Sequence, residues 1–221
     1  MVPNCQMVRY HRTMKRFEVG DRIGGGADND VYQDPHHPDR VIAVRKEGKE
    51  DSKERERKIK ARFYLKRILH ALFPENIPDA YRATSNPQAT WRPKVPLDPL
   101  HRAIQKTDAF ESGGEPVPPE IQAASDEAVR KIENDPKYKE LIRKLENLGV
   151  EIDTTAGNFT YNEKGDAIVY VDDIHLEDAD WQTENSRGYD EQKLGAAIEK
   201  IEDESARAEA RNYFERLKAL T

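Results

Sequence analysis

Asp153-Thr154-Thr155-Ala156-Gly157-Asn158, residues 153–158, is the stretch on which the reading of this chain turns. A helix-patterned run precedes it. A run that reads as a β-hairpin follows: Phe159-Thr160-Tyr161, a turn at Asn162-Glu163-Lys164-Gly165, then Ala167-Ile168-Val169-Tyr170-Val171. Asp172-Asp173 stands directly at the end of the returning strand. An Asp and an Asn in one short loop and an Asp at the strand end can converge on one point across the hairpin. Their carboxylate and amide oxygens are hard ligands of the kind magnesium takes, beside waters and substrate phosphates. Taken singly, each acid reads as a turn former or helix cap; the ordered combination is what carries chemistry.

Upstream, Phe17 and Val19 alternate with polar neighbours, which predicts a half-buried strand. Ile23-Gly24-Gly25-Gly26-Ala27-Asp28-Asn29-Asp30 is a glycine-rich turn, and Val31-Tyr32 begins a returning strand. Glycines between two strands let backbone amides approach phosphates, and the absence of a following helix excludes the dinucleotide fingerprint. On its own the turn reads equally as a hairpin tip. Asp34-Pro35-His36-His37-Pro38-Asp39 is a second turn, and Val41-Ile42-Ala43-Val44 is a third strand ending in Arg45-Lys46. A cation at that strand end can hold a phosphate or stand exposed in water.

Residues 51–73 carry Ala61, Leu65, Ile68, Leu69 and Leu72 on one helical face, with a charged front (DSKERERKIK) expected to lie in solvent and Pro74 as the stop. The proline-rich stretch 86–99, with Pro93, Pro96 and Pro99, is expected to be a loop or an edge segment. Residues 111–119 (ESGGEPVPP) predict a flexible break. A helical run from Pro119 to Leu148 is interrupted by Pro136, which predicts two helices or a kink, with Gly149 as the stop. Residues 175–188 are polar and irregular, and 189–220 form one or two helices. These elements predict an α+β fold in two unequal lobes. The expected division is an arm at 1–15, an N-terminal lobe at 16–110, a linker at 111–118 and a helical lobe at 119–221.

Composition narrows the function classes. The chain has 221 residues, with 36 Lys+Arg against 42 Asp+Glu for a net charge of −6; 35% are charged and 36% hydrophobic. No run approaches the roughly 20 apolar residues of a membrane helix, and the first residues have no signal-peptide pattern. Cys5 is the single cysteine, so neither a disulfide nor a cysteine zinc site forms within the chain. A cytoplasmic protein is expected. The acidity argues against nucleic acid as a partner. So low a hydrophobic fraction predicts partial disorder or a thin core. His36-His37 reads as turn rather than metal site, for want of a third ligand. His175 reads as a solvated loop residue, Cys5 as unactivated, Trp91 and Trp181 as packing residues, and the basic segment 9–16 as a weak acidic-partner contact.

In their order along the chain, these stretches resemble the protein-kinase-like superfamily, in the form of a small, atypical bacterial-type member. Residues 23–32 look like its glycine loop over ATP, with Gly24, Gly25, Gly26, Asn29 and Val31 as the nucleotide-covering positions. Ala43-Val44-Arg45 looks like the third-strand segment ending in the phosphate-holding lysine. The helix at 51–73 looks like the one carrying that lysine's glutamate partner, and Leu72-Phe73-Pro74-Glu75-Asn76-Ile77 like the turn after it. Asp153 and Asn158 match the catalytic-loop pattern D-x-x-x-x-N, and Asp172 the metal-binding Asp of D-F-G. The resemblance implies an antiparallel sheet with one long helix, then a small helical lobe with a hairpin. It implies ATP and Mg as cofactors, with an unidentified protein or small-molecule hydroxyl as acceptor. Asp153 would orient the acceptor hydroxyl. Arg45 or Lys46 would hold phosphate against Glu54 or Glu56. Asn158, Asp172 and Asp173 would hold the metal. Departures are specific: Asn29 for the third glycine, Arg45 for lysine, Glu151-Ile152 for His-Arg and Asp173-Ile174 for Phe-Gly. Only 47 residues follow Ile174, which predicts a truncated C-terminal lobe. A pseudokinase-type module without turnover is the alternative to a phosphotransferase.

Overall fold

The computed structural model describes residues 6–7, 18–25, 29–46, 52–82, 88–172 and 188–220. The N-terminal part is an antiparallel five-stranded sheet. Its strands are β3 (Arg22–Gly25), β4 (Asn29–Gln33), β5 (Arg40–Arg45), β6 (Tyr81–Arg82) and β7 (Ala89–Pro93), in the spatial order β3-β4-β5-β7-β6. A 21-residue helix, α1 (Ser52–Leu72), connects β5 to β6. β1 (Gln6–Met7) pairs with β2 (Glu18–Val19) as a separate two-stranded ladder. Two residues of the expected N-terminal arm therefore belong to a strand pair; residues 1–5 and 8–17 lie outside the described residues.

After β7 the chain is mainly helical: α2 (Pro99–Gly113), α3 (Pro119–Asn134), α4 (Pro136–Asn147), a hairpin of β8 (Phe159–Tyr161) and β9 (Ile168–Tyr170), α5 (Glu191–Ile198) and α6 (Glu204–Lys218). This is the α+β arrangement that the sequence implies, an antiparallel sheet with one long helix followed by a mainly helical part with a hairpin. Pro136 divides the helical run as expected, because it sits at the first position of α4, where its missing N–H costs nothing. Asp135 caps α4 by accepting from the Lys137 N–H at 2.7 Å. Gly149 ends the run at φ 64°. Among the described residues, no helix is long and apolar enough to cross a membrane.

Three expectations need correction. Residues 89–93, expected in a loop or at an edge, form an interior strand bonded to β5 on one side and β6 on the other. Pro93 ends the strand, so Ala89–Arg92 keep their N–H groups for the ladder. Residues 111–113, expected in a linker, complete α2, and α2 packs on α3 rather than on the sheet. The expected lobe boundary therefore falls at the turn between two packed helices. The sequence held the signal for α2: Asp98 before Pro99 is an N-cap followed by a first-turn proline, and Leu100, Ala103, Ile104 and Thr107 follow at helical spacing. Gly114, at φ 69°, caps its C-terminus.

The third correction concerns the charged front of α1. Lys58 is only 8% exposed, and Arg55, Glu56 and Arg57 are half-buried, so this segment is not a solvated face. Long Lys and Arg stems can cover a surface while their heads find polar company.

Two apolar clusters follow from strand parity. Tyr32, Ile42, Val44, Ala89 and Trp91 share one face of the sheet and pack with Val19. The larger cluster takes Ala61, Leu65, Ile68 and Leu69 of α1 into the helical part, with Ile132, Leu141, Leu145, Phe159, Ile168, Tyr170, Leu194 and Leu217. Phe159 centres a ring stack, with centroids 4.8 Å from Tyr138 and 5.2 Å from Tyr170. The larger cluster is extensive rather than thin, because the few apolar residues fall on the faces that meet. α1 thus belongs to both parts: its apolar stripe is rooted in the helical body, and another of its faces meets the sheet.

Candidate functional site

The loop at 153–158 is built by its own short side chains. The Asp153 carboxylate oxygen Oδ1 accepts from the Thr155 N–H at 2.9 Å and from the Thr155 hydroxyl at 2.5 Å. The Asn158 amide Nδ2 donates to the Asp153 carbonyl at 3.3 Å, closing the loop across its five-residue span. Residues Ala156–Asn158 form one 3-10 turn leading directly into β8. The Tyr138 hydroxyl, from α4, donates to the Thr154 carbonyl at 2.7 Å. Burial raises the Tyr138 hydroxyl pKa, and Glu133 adds to it, so the phenol stays protonated and a donor. Asp153 itself is exposed to solvent.

The hairpin brings the third group in. The Val171 N–H donates to the Asn158 carbonyl at 2.9 Å, so Asp172 emerges beside the start of β8. Asp153, Asn158 and Asp172 therefore meet at one loop–strand junction. Asp173 lies outside the described residues. Among the described residues, no three His, Cys, Asp or Glu side chains group as a metal site.

The Leu72–Ile77 turn after α1 is the joint between this junction and the sheet. The Asn76 amide Nδ2 donates to the Ile168 carbonyl at 2.8 Å, and the Asn76 carbonyl accepts from the Tyr170 N–H at 2.9 Å. One residue thus ties α1 to the strand that leads into Asp172. His70 Nδ1 bonds the Ile77 carbonyl at 2.7 Å and Ile77 is fully buried, which fixes the turn.

Strand parity divides the other candidates. Val31 is paired directly with Ala43, and Asn29 with Arg45. These four share the face opposite the Tyr32–Ile42–Trp91 cluster. That face, with Thr90 and Arg92 of β7, looks toward α1, where Ile59, Arg62, Phe63 and Lys66 complete a small cleft with Ala80 and Gln88. Arg45 lines the cleft. Lys46, one residue on, instead approaches Asp30 Oδ1 at 3.7 Å, and Asp30 also binds Arg22 at 2.9 Å. Of the two candidate phosphate-holding cations, Arg45 lines the cleft, and Lys46, just beyond the end of β5, lies near Asp30.

The two candidate glutamates both make ion pairs along α1. Glu54 pairs with Lys58 at 3.6 Å. Glu56 pairs with Lys60 at 2.8 Å and with Arg82 at 3.5 Å. A hydrogen bond from Lys60 holds the Glu56 carboxyl below its ordinary pKa against the opposing effect of burial. Neither lines the cleft, to which α1 contributes Ile59, Arg62, Phe63 and Lys66.

Of the glycines, Gly25 is sterically required. A Cβ there would lie 2.8 Å from the Arg22 guanidinium, 2.9 Å from the Asn29 carbonyl and 2.9 Å from the Asp30 carboxylate. A Cβ on Gly24 would meet open space. Gly26 lies outside the described residues. The His36-His37 turn is as expected: Asp34 Oδ1 accepts from the His36 N–H at 2.9 Å and the His37 N–H at 3.2 Å. Trp91 is a packing residue on the outer cluster; Cys5, His175 and Trp181 lie outside the described residues.

Sequence reasoning missed the cleft's other cations. Arg62 is 6% exposed and Lys66 is 3% exposed, and Arg92 comes from the sheet. The Lys66 ammonium donates to the Asp172 carbonyl at 3.1 Å, joining the cleft to the loop–strand junction. The signal was present: Lys58, Arg62 and Lys66 recur every four residues as a basic stripe beside the apolar one. The cleft is small, with a volume of about 30 Å³.

No family model matches the sequence, and no curated protein matches it. Among solved structures, the chain is similar to a proinflammatory kinase, CtkA, from Helicobacter pylori, at 10% identity and a TM-score of 0.39, over 98% of this chain and 93% of that one. At that identity and score, the likeness decides nothing about this chain's chemistry.

Proposed function

We propose that the chain is an atypical kinase-like phosphotransferase, which transfers the γ-phosphoryl group of ATP, with magnesium, to a hydroxyl acceptor. The observation that carries this reading is the junction itself: Asn158 bonded back to Asp153, and Val171 bonded to Asn158, so that an acid, an amide and a strand-end acid share one site. The donor set suits magnesium. Asp172 and Asn158 offer hard oxygens and no soft ligand, and magnesium normally completes its shell with waters and phosphates. Bound there, it would neutralise charge on the phosphates.

The chain's own residues would do the rest. Gly25 lets the β3–β4 hairpin lie close, and Val31 and Ala43, paired across β4 and β5, offer an apolar surface to a base. Arg45 would hold phosphate oxygens from the end of β5. Asp153, oriented by its two bonds from Thr155, would accept the acceptor's hydroxyl proton. The acceptor oxygen forms the new bond to phosphorus as the bond to the β-phosphate oxygen breaks, and ADP leaves. Catalysis of this kind is mostly positioning and charge neutralisation.

Thermal shift with ATP and Mg²⁺, on the wild type and on Asp172→Ala, tests the binding step, since a ligand that binds only the folded state must raise the apparent Tm. Absence of any shift at saturating ATP refutes the reading. Turnover of the γ-phosphate, with Asp153→Ala as control, tests the chemical step. One observation favours a second reading, a pseudokinase-type module that binds nucleotide without turnover: α1 presents Arg62 and Lys66 to the cleft where the resemblance calls for a glutamate. Binding without turnover in the wild type selects that reading.

A further inference from the structure

Asn158 is flanked on both sides by residues that α2 holds from outside. One residue before it, Gly157 lies so close to α2 that a Cβ there would stand 3.3 Å from the Ile104 Cγ2. One residue after it, the Phe159 carbonyl accepts from His101 Nδ1 at 2.8 Å. Successive residues of an antiparallel strand turn their backbone groups alternately toward the partner strand and away from it. The Asn158 carbonyl faces β9, where it accepts from the Val171 N–H at 2.9 Å. The Phe159 carbonyl faces the other way, toward α2. On that same edge the Tyr161 N–H donates to Asp98 Oδ2 at 2.6 Å. His101 is only 1% exposed. A carbonyl oxygen only accepts, so Nδ1 carries the proton. Nε2 is buried and has no hydrogen-bond partner among the described residues. A leucine would fill the same space without leaving a buried nitrogen unsatisfied. The bond to Phe159, rather than packing, accounts for a histidine at this depth.

We propose that His101 is a positioning residue for the candidate magnesium ligands Asn158 and Asp172. By holding the Phe159 carbonyl, it fixes the start of β8 directly after Asn158. The backbone there sets how Asn158 stands while its Nδ2 bonds the Asp153 carbonyl at 3.3 Å, and so where its amide oxygen is presented. The Asn158 carbonyl, bonded to the Val171 N–H, carries the same register across to Asp172, one residue further. Groups behind metal ligands that fix their orientation govern affinity nearly as strongly as the ligands themselves. The inference rests on the magnesium and nucleotide reading above and deepens it, because it gives α2 a part in a site otherwise built from the loop and the hairpin.

The full chain tests this, as wild type and as His101→Asn, His101→Gln and His101→Leu. Asn keeps an amide N–H as far from the backbone as Nδ1 is, so it still reaches the Phe159 carbonyl. Gln carries that amide one carbon further, and Leu fills the space without a donor. Isothermal titration gives the ATP affinity with Mg²⁺ and with EDTA, and calorimetry gives Tm. Wild-type ATP binding should be about tenfold or more tighter with Mg²⁺ than with EDTA. His101→Leu and His101→Gln should weaken ATP by about tenfold in Mg²⁺ and by less than about twofold in EDTA, while His101→Asn stays within about threefold of the wild type in both. A packing residue would instead lower Tm and leave the Mg²⁺ advantage intact in every variant, which overturns the proposal. Equal weakening in Mg²⁺ and in EDTA overturns it as well. If His101→Leu fails to fold, His101→Asn against His101→Gln decides, since Asn must keep the advantage and Gln must lose it. These outcomes leave the nucleotide reading standing. Wild-type ATP binding that ignores Mg²⁺ sinks the magnesium site and the role of His101 together, and no ATP binding at all sinks the nucleotide reading with them.

Discussion

Asn76→Ala tests the joint on which the candidate site depends. The Asn76 side chain donates to the Ile168 carbonyl at 2.8 Å, and its own carbonyl accepts from the Tyr170 N–H at 2.9 Å. Truncation removes the first bond and leaves the second. Ile168 is fully buried on β9, so its carbonyl loses a partner where water has little access. Leaving such an acceptor unsatisfied costs about 1–3 kcal/mol. For a chain of this size, each kcal/mol lowers Tm by roughly 2–4 °C, so the expected loss is about 2–12 °C by calorimetry or circular dichroism. A control is Gln122→Ala, which removes an exposed bond to Asp126 within α3 and should shift Tm by about 1 °C or less. Asn76→Asp adds a pH test. The introduced carboxylate would face a carbonyl, which raises its folded pKa above the ordinary value near 3.9. Its ionisation therefore destabilises the fold as pH rises through that range, and the deficit against the wild type is smaller near pH 3 than at pH 7. ATP affinity should fall with the Asn76 variants as well, because β9 leads directly into Asp172. An Asn76→Ala protein with wild-type Tm would refute the claim that this residue ties α1 to the hairpin.

Further predictions follow the same geometry. Gly149→Ala and Gly165→Ala both place a side chain at positive φ, 64° and 68°, at about 1–2 kcal/mol each. Only Gly149 would also drive a Cβ to 2.6 Å from the Asp190 Cβ and 2.9 Å from its nitrogen, whereas Gly165 faces open space. Gly149→Ala should therefore unfold at the lower urea midpoint of the two, and equal midpoints would contradict the crowding. Asp98 is pushed up in pKa by burial but held below its ordinary value by bonds from the Tyr161 and His101 N–H groups, the Thr160 hydroxyl and the Leu100 N–H. Its contribution to stability is present above the unfolded value near 3.9 and is lost as pH falls through the lower folded value. Asp98→Asn should accordingly flatten the loss of stability between about pH 4 and pH 2, measured by urea titration at each pH. Arg67 joins Asp79 and Glu209 from α1 and lies over the rings of Tyr81 and Tyr213, at 5.5 Å and 5.2 Å. Arg67→Lys should lower Tm nearly as far as Arg67→Met, because an ammonium cannot bond two carboxylates in a planar fork and stack at once; full rescue by lysine would contradict that role.

The sequence makes most of the scaffold legible, for identifiable reasons. The apolar stripe Ala61–Leu65–Ile68–Leu69 has one period, Pro136 and Gly149 act on the backbone alone, and Asn162–Gly165 has the composition of a turn. Each is a local signal and survives folding unchanged. The Asp153–Asn158 loop is local too, and its closing bond lies within the motif that predicts it. What stays hidden depends on which faces meet. The charged front of α1 reads as solvated because charge runs usually are, whereas in the fold Lys58 is buried and Arg55, Glu56 and Arg57 are half-buried. β7 reads as a loop or an edge because its prolines are counted before their positions are weighed, and Pro93 falls at the last residue of the strand, paired with Arg40.

The choice between Arg45 and Lys46 stands between these cases. The sequence alone leaves both open, since either could end a strand beside phosphate. The period of two separates their positions: Arg45 shares Ala43's side of β5 and lines the cleft, and Lys46 follows beyond the strand's end. The same parity places Arg92, two residues beyond Thr90, on that side of β7. A cationic cleft is thus the joint product of a two-residue period in the sheet and a four-residue period in α1. Neither period announces it alone. That the two meet, with Lys66 reaching on to the Asp172 carbonyl, is what joins the cleft to the loop–strand junction.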